Sequence, residues 1–155
     1  MKYFFFNSNI TIFQQDRKWK IKEINTIRNV LKVAKLRRNG LSIKLSNDKS
    51  IKAINFKWKG INKPTNVLSF PYKESIKNSD TNVLYLGDII LAYETLEKET
   101  KIRNIDLQKH LSHILIHGIL HLKGYTHDGV DDTRYMQNEE IRILKNLKIR
   151  NPYHN

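Results

Sequence analysis

The sequence contains no cysteine, so disulfides and thiolate metal ligands are excluded and nothing argues for an oxidising compartment. Proline and glycine are scarce, with 3 and 6 residues in a chain of 155, which excludes collagen-like and low-complexity classes. No apolar run approaches the length of a membrane span. The opening stretch MKYFFFNSNITIF is apolar for only a few residues before Asn7 and has no small-residue cleavage site, so neither a signal peptide nor a membrane anchor is expected, and the chain is expected to be cytoplasmic. Acidic residues are also in short supply. There are 15 Asp+Glu against 28 Lys+Arg, a formal net charge of +13. Such an excess favours a polyanionic partner such as nucleic acid, a ribonucleoprotein or an acidic membrane surface, although a Lys- and Asn-rich composition also follows from a biased genome.

What is present is an ordinary globular balance, 39% hydrophobic and 28% charged residues, in a chain of single-domain length. Residues 1–155 show no repeat, linker or second domain. Met1 to Phe13 alternates loosely, as one strand would. Ile24, Ile27, Val30, Leu31 and Ala34 recur at helical spacing within Asp16–Arg38, and Asn39-Gly40 supplies a stop. Leu41, Ile43 and Leu45 alternate as a half-buried strand. Asn47 or Asp48 caps a short helix that Gly60 ends, and NKPTN marks a turn before the short strand VLSFP. Residues 72–82 read as a polar loop and VLYLGDIILA as the strongest strand. Helical patterns follow from Tyr93 to about Thr100, from Asp106 to Lys123 and from Asp131 to Leu147. Strands set among helices predict an α+β domain, a small mixed four-stranded sheet packed by about five helices.

Five of the six histidines fall between His110 and His127. Within the helix predicted over Asp106–Lys123, His117 and His121 are four residues apart, which separates them by only about 40° around the helix axis, so both rings leave one face. Gly124 permits a sharp turn at the helix end, and His127 follows three residues later, able to fold back beneath the other two. Three imidazoles with an open fourth position is the arrangement of a catalytic metal, whereas structural sites are usually closed by four protein ligands. His110 and His113 lie one to two turns earlier, as supports of the site, phosphate contacts or packing residues.

The spacing is that of the metzincin peptidases, whose first histidine is followed by the glutamate that serves as general base. Here that position is Gly118, which cannot accept a proton. RNA needs less from the protein, because it carries its own nucleophile in the 2′-hydroxyl or can be attacked by water that a metal activates. The missing glutamate and the positive charge therefore both point from peptides toward nucleic acid.

The stretch HGILHLKGYTH resembles the H-G-x-L-H-L-x-G-Y-D-H motif of the bacterial YbeY family, rRNA-maturation factors described as metal-dependent single-strand-specific endoribonucleases. KPTNVLSFP resembles the family's P-T-D-V-L-S-F-P, and LGDI its L-G-D-I strand; order and spacing agree from Ser42 to Leu147. The resemblance implies zinc held by His117, His121 and His127, and a fold related to the zinc peptidases. It also implies action on 16S rRNA 3′ ends and in ribosome quality control, with rRNA and ribosomal subunits as partners; no DNA or membrane partner is expected. Three positions depart from the family pattern. Thr126 stands where the family has aspartate, with Asp128 next door; Asn66 replaces another aspartate; and Lys59 replaces an arginine thought to be functional. Lysine keeps the charge but is a single point donor, not a bidentate fork for phosphate.

The remaining roles follow from residue chemistry. Lys59 is expected to neutralise developing phosphate charge, or else to be a solvated lysine at a helix end. Ser69 and Phe70 are expected to line the substrate groove, Phe70 alternatively belonging to the core. Asp88 is a candidate to orient a ligand imidazole, or else a strand residue in a tight turn with Gly87. Imidazole ligands suit zinc, nickel, copper and iron alike. The rival reading is a non-catalytic ribosome-biogenesis factor that binds rRNA and uses the metal for folding only. It requires a fourth protein ligand, with Asp128 and His154 as candidates. A peptidase lacking its glutamate is the weakest reading.

Overall fold

The computed structural model describes residues 2–72, 77–78 and 83–154. The chain forms strands β1 (Lys2–Asn7) and β2 (Ile10–Gln14), helix α1 (Ile21–Val33), β3 (Asn39–Ser46), α2 (Asp48–Lys59), β4 (Val67–Pro71), the two-residue β5 (Lys77–Asn78), β6 (Val83–Ala92), and helices α3 (Tyr93–Arg103), α4 (Leu107–Leu122) and α5 (Val130–Asn146). The α+β architecture with five helices agrees with the sequence. The sheet is larger than the four strands expected, because the segment read as one strand at the N-terminus is a hairpin. The Asn7 side chain accepts the amides of Asn9 and Ile10 at 2.8 and 3.0 Å and so turns the chain between β1 and β2. A side-chain turn of this kind has no glycine or proline to announce it. The loop expected over residues 72–82 lies largely outside the described residues; within it, Lys77 and Asn78 pair with Leu84 and Val83 of β6.

The main path of the sheet runs β1-β2-β3-β6-β4. Its centre is parallel, β2 with β3 and β3 with β6, and its two outer strands are antiparallel. The C-terminal half of β6 is apolar on both faces, as a strand covered by helices on each side must be, whereas β3 is apolar on one face and carries Ser42, Lys44 and Ser46 on the other. On one face, Ile12, Leu41, Ile43, Leu45, Ile89 and Leu91 join Ile27 and Leu31 of α1, Leu115 and Ile119 of α4 and Leu144 of α5 in the main core. On the other face, Leu68, Ile90 and Ala92 form a smaller core with Ile51 of α2, and Ile54 and Phe70 pack against it.

Local chemistry sets the helix ends that matter for the site. The Asn47 side chain caps α2 by accepting from the Ser50 amide at 2.9 Å, and Gly60 ends it at a φ of 71°. Helix α1 starts at Ile21, five residues into the Asp16–Arg38 window, because the preceding segment is pinned elsewhere. The Trp19 indole is buried and donates to the Ser46 carbonyl at 2.8 Å, and the Lys20 amide donates to Glu23. Asp106 caps α4, accepting from the Lys109 amide at 3.1 Å. Helix α4 is buried along nearly its whole length, and its buried residues include His110, Ser112 and His113 as well as its apolar ones. Among the described residues, no helix is long and apolar enough to cross a membrane.

Candidate metal centre

At its C-terminal end α4 closes in a Schellman turn. The Gly124 amide donates to the His121 carbonyl and the Tyr125 amide to the Leu120 carbonyl, both at 3.0 Å. Gly124 sits at a φ of +99°, a backbone state that L side chains rarely adopt. This turn reverses the chain and returns His127 to the helix. The His117 and His121 ring centroids lie 4.5 Å apart, and those of His121 and His127 4.9 Å apart. One ligand nitrogen from each of the three residues falls within 4.8 Å of the others, and among the described residues no further histidine or carboxylate joins the group. His117 and His121 are half-buried and His127 is exposed, so the group opens to solvent on one side.

The outer nitrogens of the rings decide what the inner ones can do. His117 Nδ1 lies 2.6 Å from a carboxylate oxygen of Glu140, and His121 Nδ1 lies 3.0 Å from the Tyr125 carbonyl. Both partners only accept, so each Nδ1 carries the proton and each Nε2 is left with a bare lone pair. Those two Nε2 atoms face each other at 3.0 Å. Burial, followed by the neighbouring His117 and His127 rings, pushes the His121 imidazole below its ordinary value and keeps it neutral. Two unprotonated lone pairs at this distance repel unless something electropositive lies between them. The donor set therefore fits a divalent metal ion held by three neutral imidazoles.

The histidine motif does not point to Glu140, which sequence reasoning misses. It lies on α5, 23 residues from His117, and is fully buried. One oxygen accepts from His117, and the other takes His113 Nε2 at 3.0 Å together with the Tyr153 hydroxyl. Burial pushes its pKa up, but the hydrogen bonds from His113, His117 and Tyr153 outweigh burial and hold the carboxyl at about 2. A signal for it does exist. Met136, Glu140, Ile143 and Leu144 form the buried stripe of α5, and a carboxylate on an apolar stripe needs partners in the interior.

The other expected residues divide. Asp88 does not reach a ligand imidazole; it lies within β6, not in a turn, and its carboxylate accepts from the Ser42 and Tyr85 hydroxyls at 2.5 and 2.7 Å. Orientation of His117 falls to Glu140 instead. His113 supports the site through Glu140, whereas His110 pairs with Glu99 at 3.1 Å. Asp128 and His154 do not join the ligand group. Ser69 lies in the seam between β4 and α4, where its hydroxyl donates to the Gly118 carbonyl at 3.2 Å. Phe70 takes the core alternative. Side chains alternate along a strand, so Phe70 faces the α2 side and meets the Trp58 ring at 6.2 Å, on the sheet face opposite α4. Lys59 is exposed at the last turn of α2.

The structure also explains the residue after the first ligand. A Cβ at Gly118 would lie 3.1 Å from Ser69 Oγ and 3.3 Å from Val67 Cγ2. Helix α4 thus rests directly on edge strand β4, and a glutamate side chain at position 118 has no room between them.

The chain matches the family model described as Endoribonuclease YbeY over residues 7–148. Curated proteins named Endoribonuclease YbeY align with it. The one from Ehrlichia canis is 42% identical over 73% of this chain and 70% of its own length, and the one from Sinorhizobium medicae is 45% identical over 73% and 67%. That from Nitrobacter hamburgensis is 44% identical over 73% of this chain and 60% of its own length. The solution structure of TM1509 from Thermotoga maritima shares the fold, with a TM-score of 0.58 at 22% identity over 90% of this chain and 91% of that one.

Proposed function

The chain belongs to the YbeY family, and from that premise we propose that it is a metal-dependent, single-strand-specific endoribonuclease of rRNA processing, acting at the 3′ end of 16S rRNA and in ribosome quality control in the cytoplasm. The observation that carries the reading is the set of three imidazoles with two outer nitrogens held by acceptors, bare Nε2 atoms facing inward, and no fourth protein ligand among the described residues. Zinc is the first candidate for that donor set, with nickel and other divalent ions following the same ligand chemistry. When bound, the ion supplies a Lewis acid for a phosphoryl oxygen and lowers the pKa of water.

The chain's own residues provide the rest. Glu140 fixes the His117 ring and its tautomer, and the Tyr125 carbonyl does the same for His121. Gly118 lets the ligand helix lie against the β4 edge, and the Ser69 hydroxyl ties the two together beside His117. His127, exposed at the open side, faces the direction from which substrate arrives. Lys59 neutralises phosphate charge as a single point donor. No carboxylate stands at position 118, which suits a substrate such as RNA that brings its own nucleophile in the 2′-hydroxyl or is attacked by water that a metal activates. The net charge of +13 suits rRNA and ribosomal subunits as partners.

The test is cleavage of matched single-stranded and duplex RNA by protein purified without a histidine tag, before and after chelation and with zinc, nickel or manganese restored. Single-strand cleavage that is lost on chelation and returns with metal is expected. A metal-loaded protein that binds rRNA and never cuts it establishes the folding-only role of the metal.

A further inference from the structure

From Lys49 to Tyr72 the chain carries five lysines and no acidic residue. Within that run, every residue from Phe56 to Pro64 is exposed. Trp58 is the largest side chain among them and is 66% exposed. It extends the stripe of Ile51 and Ile54 past the end of the small core, so its inner edge meets Phe70 of β4 at 6.2 Å while most of the ring faces solvent. Lys57 Nζ sits over the Trp58 ring, 5.6 Å from its centroid. Two residues beyond Phe70, and so on the same face of the extended chain, Tyr72 is 50% exposed and packs edge-on against Tyr85. The acidic residue of α2 itself, Asp48, is at the other end of a 12-residue helix, about 16 Å away, where it accepts from Thr95.

Aromatic rings on a stretch whose charged residues are all lysines satisfy both requirements of single-strand recognition: flat faces on which unpaired bases stack, and cations along the backbone. Duplex RNA offers no free base faces. Strand β4 also joins this surface to the metal centre. Its Phe70 side chain lies on the Trp58 face, and its Ser69 side chain bonds the helix that carries His117 and His121. An extended strand lying on Trp58 therefore needs only to cross one edge strand to reach the histidines.

We propose that Trp58 and Tyr72, flanked by Lys57 and Lys63, form a stacking track that holds single-stranded RNA beside the histidine site. The track rests on the RNA-directed reading of that site but supplies affinity and strand selectivity, not chemistry. Base stacking on one aromatic ring changes affinity by roughly 5- to 150-fold.

The test uses the full chain and a 12-nucleotide oligouridylate, read by fluorescence anisotropy of a labelled strand and by intrinsic tryptophan quenching, which reports the exposed Trp58 because Trp19 is buried. Trp58→Ala should weaken binding by roughly 5- to 150-fold and abolish the quench, while Trp58→Phe, which keeps a ring, should bind within about threefold of wild type. Cleavage by Trp58→Ala should show a raised KM with kcat unchanged. A wild type that binds with Trp58-dependent quenching yet never cleaves leaves the track standing and removes the endoribonuclease. A Trp58→Ala protein that binds and cleaves with wild-type Kd and KM removes the track, leaves the endoribonuclease intact, and gives this face to a protein partner.

Discussion

Glu140→Gln is the perturbation that most directly probes how the metal centre is held. The substitution keeps the shape of a fully buried side chain that bonds His117, His113 and Tyr153, and removes its charge. Two consequences follow. The first is stability. The carboxyl is held at about 2 against an ordinary 4.5, a difference of about 2.5 units, worth on the order of 3 kcal/mol. Because the folded-state value is depressed, that contribution is complete above about pH 4.5 and disappears as pH falls toward 2. Glutamine mimics the protonated acid, so the variant should be less stable by about 3 kcal/mol at pH 7, and the gap should close progressively below pH 4.5. The second consequence is metal affinity. Loss of the group that fixes the tautomer of a ligand histidine typically costs 10- to 100-fold in affinity. Denaturant unfolding of metal-free protein across a pH series measures the first, and competition with a chromophoric chelator at pH 7 the second. Tyr153→Phe is the control. It removes a Glu140 partner that does not touch His117, so it should cost about 1 kcal/mol while leaving metal affinity near wild type. If Glu140→Gln loads metal as tightly as wild type and shows no pH-dependent stability difference, the carboxylate does not orient His117.

Other substitutions test neighbouring parts of the argument. His117→Ala or His121→Ala should each reduce metal content sharply, measured by elemental analysis of untagged protein, and equal content in wild type and both variants would refute the three-histidine site. Lys59→Ala should lower RNA cleavage by about tenfold to a thousandfold and Lys59→Arg should equal or exceed wild type, with metal content constant in both; a wild-type rate in Lys59→Ala reduces the residue to a solvated helix end. Gly118→Ala should destabilise the fold by about 1 to 3 kcal/mol despite the better helix propensity of alanine, because its Cβ presses on Ser69 and Val67. Thermal melts of Gly118→Ala alone and combined with Ser69→Ala check this, with partial recovery expected in the pair. Affinity for single-stranded rRNA fragments should fall steeply with salt, as counterion release requires, and a flat salt series would remove nucleic acid as the main partner.

The ligand set is legible in the amino-acid sequence because every constraint on it is local. Helical periodicity puts His117 and His121 on one face, and one glycine turn returns His127 to them. The capped ends of α2 and α4 are legible for the same reason, since Asn47, Gly60 and Asp106 act within a turn of their own positions. The sign of the charge and the absence of a glutamate after the first ligand are also properties of the chain alone. Contacts between elements are not legible in this way. Periodicity shows that a residue is buried but not which partner meets it there, so Asp88 is a reasonable candidate for the role that Glu140 fills from another helix. Which face Phe70 takes depends on the register of β4 against β6, and a shift of one residue would have sent it to the other side. Likewise, the sequence shows a glycine at position 118, but only the packing of α4 on β4 shows that Ser69 and Val67 crowd the place where a side chain would go.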